Sequence, residues 1–115
     1  MHEDAAKTIE AEVGSWPGVT VEPHTRGVGR QFHYGRVELG HLHGDSLGDL
    51  PFPRKVHDEL VADGRVSVHP PLPNSGWVRR SIESPEDVTE LVRLFRLNYE
   101  RARSRDERRD RRAEG

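Results

Sequence analysis

The stretch Gly35-Arg36-Val37-Glu38-Leu39-Gly40-His41-Leu42-His43-Gly44 decides how this chain folds. Between two glycine-bearing reversals, residues 37–43 alternate with a period of two, the period of a strand and not of a helix. Working backwards, Arg30–Tyr34 reads as the strand joined to it through Gly35-Arg36. Val19–Glu22, stopped by Pro23, reads as one more, connected through a flexible turn at Thr25–Gly29. Three strands linked by short turns predict an antiparallel meander. Gly27-Val28-Gly29 lies between two strands with no helix after it, so it is not a phosphate loop.

The flanks are helical. Ala6, Ile9, Val13 and Trp16 recur at helical spacing in a segment from Glu3 to about Val13, closed by Gly14 and a Trp16-Pro17-Gly18 turn. On the other side, Asp45–Pro53 reads as a loop closed by two prolines. Pro53 opens a helix to Ala62 that turns Val56, Leu60 and Val61 inward and ends at Asp63-Gly64. Val66–His69 is a fourth strand, Pro70–Gly76 an exposed loop, and Trp77–Ile82 a fifth strand whose charges place it at an edge. Ser84-Pro85-Glu86-Asp87 then caps a helix with an apolar stripe at Val88, Leu91, Val92, Phe95 and Tyr99. The prediction is an α+β fold: a mainly antiparallel sheet of about five strands, three helices packed on one face, order α-β-β-β-α-β-β-α. Residues 1–100 make one domain. Residues 101–115 (RARSRDERRDRRAEG) make an Arg-rich charged tail, read as a frayed helix or disordered.

Charge divides along the same line. The 115 residues carry a formal charge of -2, yet the tail alone holds seven arginines against four acids, so the domain before it is acidic. An acidic domain argues against a globally basic nucleic-acid binder, and the tail's interspersed acids read as a solvated charge run. Without cysteine there is no disulfide framework, thiolate zinc site or cysteine nucleophile. No apolar run approaches the roughly 18 residues of a membrane span. The acidic start differs from a secretory signal, so a soluble cytoplasmic protein is expected, with no membrane partner.

Seven histidines remain, and His41 and His43 are the pair that matters. Two residues apart on a strand, they present their imidazoles side by side, with glycines at 40 and 44 leaving room for a ligand. Imidazoles near neutrality can hold and pass a proton, so His41, His43 and His69 are the candidate catalytic residues. Asp45 stands near enough to orient an imidazole, and Phe52 and Trp77 offer apolar walls. With Ser75 these three are the candidate ligand contacts, and a small organic molecule is the expected partner. No cofactor is called for. A divalent metal, if bound, would take His41 and His43, with His69 or Glu38 as third ligand, although alternation puts Glu38 on the opposite face. His2, His24 and His57 are expected to face solvent, and Asp58-Glu59 to be a solvated helix surface. The serines lack any Gly-x-Ser-x-Gly context, which argues against a serine hydrolase.

The string RVELGHLHGDSLGDLPFPRKVHDELVADGRVSVHPPLPNSGWV, followed by an LFRLNYERAR helix, resembles the small luciferase-like domain family, shared by fungal luciferases and many short bacterial proteins. The marks are Glu38–Gly44, Leu50-Pro51-Phe52-Pro53, His69 before the proline-rich loop, and Ser75-Gly76-Trp77-Val78. For the fungal members, the resemblance implies oxygenation of a hydroxylated pyrone luciferin with light emission and no established metal or flavin. The chain is read as lacking their membrane-anchoring N-terminal segment. Pro-Phe-Pro before a helix, Gly-Trp-Val on a strand and the Asn-Tyr-Glu helix are also similar to MmcQ/YjbR-like domains. That likeness implies a mainly antiparallel α+β architecture. It also supplies the alternative function, a non-enzymatic module for nucleic acid or protein.

Overall fold

The computed structural model describes residues 4–23 and 29–114. In chain order these form α1 (Ala5–Val13), β1 (Val19–Pro23), β2 (Gly29–Tyr34), β3 (Val37–His43), β4 (Leu47–Pro51), α2 (Arg54–Ala62), β5 (Ser67–Val68), β6 (Trp77–Ser81) and α3 (Pro85–Glu114). The strands make one antiparallel sheet in the order β1-β2-β3-β4-β6-β5. The predicted α+β class and meander stand, with six strands in place of about five. His2, His24 and the turn at residues 25–28 lie outside the described residues.

The extra strand is β4, in the segment read as a loop. Gly44 takes a left-handed φ of 54° and Ser46 N–H donates to the His43 carbonyl at 3.1 Å, which turns β3 back on itself. Leu47 then pairs with His43 and Asp49 with His41. Its glycine and acid mimic a loop, but each has a tertiary reason to be there. A Cβ on Gly48 would stand 2.8 Å from Leu91 Cδ2, so the missing side chain is what lets α3 lie on the sheet. Insertion of β4 also overturns the edge position expected for Trp77–Ile82. β6 is flanked by β4 and β5, and its charges are neutralised internally: Arg79 by Asp49 and Arg80 by Asp87. The outer strands are β1 and β5.

Alternation splits the sheet into two unlike faces. Phe32, Leu42, Leu50 and Val78 are fully buried in the core that α1 and α3 close, with Leu91, Leu94, Phe95 and Tyr99 from α3. Phe32 and Phe95 rings sit 4.9 Å apart, and Tyr99 Oη donates to the Pro17 carbonyl at 2.7 Å. Asp87 caps α3: one carboxylate oxygen accepts from the Glu83 and Ser84 N–H groups at 2.7 and 3.0 Å, the other from Arg80. The last residue of α3 in the core is Ala102. Beyond it the helix continues through the Arg-rich segment to Glu114, with Arg96–Glu100 and Arg103–Glu107 as i,i+4 pairs. No helix among the described residues is long and apolar enough to cross a membrane.

His57 departs from its expected exposure. It is 2% exposed, one turn before Leu60, because the inner face of α2 falls on 57 and 60. Its Nδ1 pairs with Asp58 at 2.8 Å.

Candidate functional site

The sheet face away from α3 carries the polar cluster. Register alone builds it: Asp49 on β4 pairs laterally with His41 on β3 and with Arg79 on β6, so three side chains form one rung across three strands. His43 follows His41 on the same face. His69 comes one residue after β5, whose Val68 pairs with Val78, and so arrives beside Trp77. The His69 and Trp77 rings are 6.1 Å apart, and the His41 ring lies 5.2 Å from Trp77 and 5.0 Å from His43.

Asp49 is the hub and is wholly buried. Its Oδ1 accepts from Arg79 Nε at 2.8 Å and its Oδ2 from Arg79 Nη2 at 3.1 Å. The same Oδ2 lies 3.0 Å from His43 Nε2, 3.2 Å from His69 Nε2 and 3.4 Å from His41 Nε2. Glu38 Oε2 meets the other nitrogen of His41, Nδ1, at 2.9 Å. The His43 side chain is 41% exposed, whereas those of His41 and His69 are 13% and 11% exposed, which makes His43 the imidazole most open to solvent.

The electrostatics follow from this crowding. Burial would lower the pKa of His41, but hydrogen bonds to Asp49 and Glu38 outweigh it and raise the value to about 9. Burial would raise the Asp49 carboxyl, yet hydrogen bonds from His41 and Arg79, with the charges of Arg79 and His69, hold it well below the usual carboxylate range. Glu38 is lowered too: burial is outweighed by its hydrogen bond to His41 and the charge there.

Glu38 was expected on the opposite face. The alternation breaks because β3 is bulged: Phe32 pairs with Gly40, but His33 pairs with Glu38, leaving Leu39 as the extra residue. Gly40 makes the bulge possible. Its φ is 151°, and a Cβ there would come within 2.7 Å of the Asp49 carbonyl and 2.9 Å of Phe95. Asn98 of α3 secures it, donating from Nδ2 to the Leu39 carbonyl at 3.1 Å and to the Pro51 carbonyl at 2.7 Å.

Of the candidate residues, His41, His43, His69 and Trp77 come together. Ser75 stands at the turn into β6, where its Oγ donates to the Leu72 carbonyl and accepts from Trp77 N–H. Phe52 is buried, its N–H donating to the Gly76 carbonyl at 3.0 Å. It lines an open cleft of about 400 Å³ whose walls include Val37, Asn98, Arg101 and Arg105. Asp45 is elsewhere, accepting the Ala6 N–H at the start of α1 at 2.8 Å. Sequence reasoning missed Asp49 and Arg79. The available signal was the Gly44-Asp45-Ser46 reversal between two apolar runs, which marks a hairpin and puts Asp49 opposite His41.

A family model described as a luciferase domain matches residues 36–98, from the start of β3 to Asn98. No curated protein and no solved structure matches the chain.

Proposed function

From a chain that belongs to the luciferase domain family, we propose that the face bearing His43 and Trp77 binds a small planar organic molecule with an ionisable hydroxyl and adds dioxygen to it. The observation that supports this reading is the convergence of three imidazoles and one indole on Asp49 and its surroundings, from strands far apart in sequence. The indole gives a flat apolar wall. His43, held by a buried carboxylate, gives a polar atom at a fixed position, and the neighbouring His41 and Arg79 suit an oxyanion. Ionising the hydroxyl makes the ring electron-rich. Adding dioxygen to a ring carbon forms one C–O bond, moves two electrons from substrate to oxygen, and leaves a hydroperoxide once a proton is taken up.

The test is a hydroxylated 2-pyrone mixed with the protein, followed by NMR shift perturbation and by dissolved-oxygen uptake. The expected result is saturable binding at the Trp77 indole with oxygen consumption, both lost in Trp77→Ala and His43→Ala. Oxygen uptake or binding that those substitutions leave unchanged, or no binding at millimolar pyrone, would refute the proposal.

A further inference from the structure

We propose that Asp49, His41 and His43 form a binding site for one divalent first-row metal ion. The argument begins with an oversubscribed atom. A carboxylate oxygen has two lone pairs to offer, and Asp49 Oδ2 already accepts from Arg79 Nη2 at 3.1 Å. Three imidazole Nε2 atoms nevertheless surround that same oxygen at 3.0, 3.2 and 3.4 Å. With Arg79, four nitrogens crowd an oxygen that offers two lone pairs.

A cation accounts for two of them, His41 and His43, gathered with Asp49. Nitrogen and oxygen ligands sit about 2.0–2.2 Å from zinc in a tetrahedral site, so neighbouring ligand atoms lie about 3.3–3.5 Å apart, and octahedral ligands about 2.9 Å. The observed separations span that range. The ligand atoms of His41, His43 and Asp49 all lie within 4.8 Å of one another, close enough to share one ion.

The surroundings point the same way. A metal-ligating histidine usually gives its second ring nitrogen to a carboxylate, which fixes the tautomer and aims the other nitrogen at the metal. Glu38 does this to His41, at 2.9 Å from Nδ1. Arg79 plays the matching part for Asp49, engaging Oδ1 through Nε at 2.8 Å so that Oδ2 is the oxygen turned toward the imidazoles. Two imidazoles, one carboxylate and no thiolate suit zinc, iron(II) or manganese(II), with zinc and cobalt(II) as practical probes. His43 stands on the open side, where an ion would meet an ionised hydroxyl of a bound ligand. The inference goes beyond the oxygenation reading, and its test uses no organic ligand, so either can fail without the other.

The full chain, stripped with chelator, is titrated with cobalt(II), recording visible absorption, and then with zinc by calorimetry. One equivalent of cobalt should bind with an intensified visible spectrum and be displaced by zinc. His43→Ala and His41→Ala should each weaken binding about tenfold or more, and Glu38→Gln about tenfold. Asp45→Ala, a carboxylate near in sequence but placed at α1, should bind as the parent does. His43 is the most exposed ligand, so its variant is expected to fold, which circular dichroism checks. The parent chain needs no substitution: zinc should raise its thermal midpoint. No binding by the parent at tenfold excess of either ion, or binding that both histidine substitutions leave unaltered, overturns the proposal.

Discussion

Replacing Asn98 by alanine tests whether the bulge in β3 is held from the helix side. Asn98 is 5% exposed and its Nδ2 donates to two carbonyls, Leu39 at 3.1 Å and Pro51 at 2.7 Å, on neighbouring strands. Each hydrogen bond contributes about 1 kcal/mol net, and a buried acceptor left without a partner costs about 1–3 kcal/mol. Carbonyls tolerate the loss better than N–H groups do, and alanine regains about 0.5 kcal/mol of helix propensity. The expected net loss is about 2–3 kcal/mol, a large share of the 5–15 kcal/mol typical of a domain. Urea unfolding followed by circular dichroism should show the midpoint falling by about 1–2 M at unchanged slope, given slopes of about 1–3 kcal/mol/M. Asn98→Asp separates the donors from mere bulk: it keeps the size but loses both N–H groups, so it should be at least as unstable. A midpoint in Asn98→Ala within experimental error of the parent, or full stability in Asn98→Asp, would refute the reasoning. Because the bulge also turns Glu38 toward His41, the alanine variant should shift the His41 ring resonances although α3 touches the opposite face of the sheet.

Gly40→Ala places a Cβ 2.7 Å from the Asp49 carbonyl at a φ of 151°, where alanine is strained. Thermal unfolding should show a loss of about 2 kcal/mol or more, and an unchanged midpoint would contradict the packing described. Asp87, whose pKa burial would raise, is instead lowered by the Glu83 N–H and by Arg80. A depressed folded pKa means its contribution is complete above the unfolded value of about 3.9 and fades as pH falls through the folded value. Asp87→Asn should therefore be less stable than the parent at neutral pH, and the two denaturation curves should converge in strong acid; a constant gap would count against it. Asp45→Ala should cost about 1 kcal/mol, as a lost cap on α1 does, and leave the imidazole resonances of His41 and His43 in place. Movement of those resonances would put Asp45 in the cluster after all.

The period of two through β3 was legible because one face of that strand lies in the core, and it put His41 and His43 side by side from spacing alone. What brought His69 to them was not local. It follows from the pairing of β5 with β6 and of β6 with β4, and no spacing between residues 43 and 69 encodes that register. β4 stayed hidden for a related reason. Gly48 and Asp49 are poor strand formers, and each is present for a tertiary purpose: one lets Leu91 approach, the other receives Arg79 and the imidazoles. Glu38 fell on the wrong face because alternation is counted residue by residue, and the bulge adds Leu39 to one strand only.

These exceptions to local rules are not scattered. The bulge at Leu39, the glycine at 40, the acid in the middle of β4 and Arg79 of β6 all bear on one rung of the sheet, His41–Asp49–Arg79. On the opposite face Gly48 makes room for Leu91, and Asn98 of α3 holds the bulge. A wholly buried carboxylate with a guanidinium is seldom the stablest way to fill that volume, since apolar side chains of like size often do as well or better. The core under α1 and α3 is complete without it. The chain thus departs from its own strand pattern to gather three imidazoles around a buried carboxylate, on the face opposite α1 and α3, where apolar packing would serve stability as well.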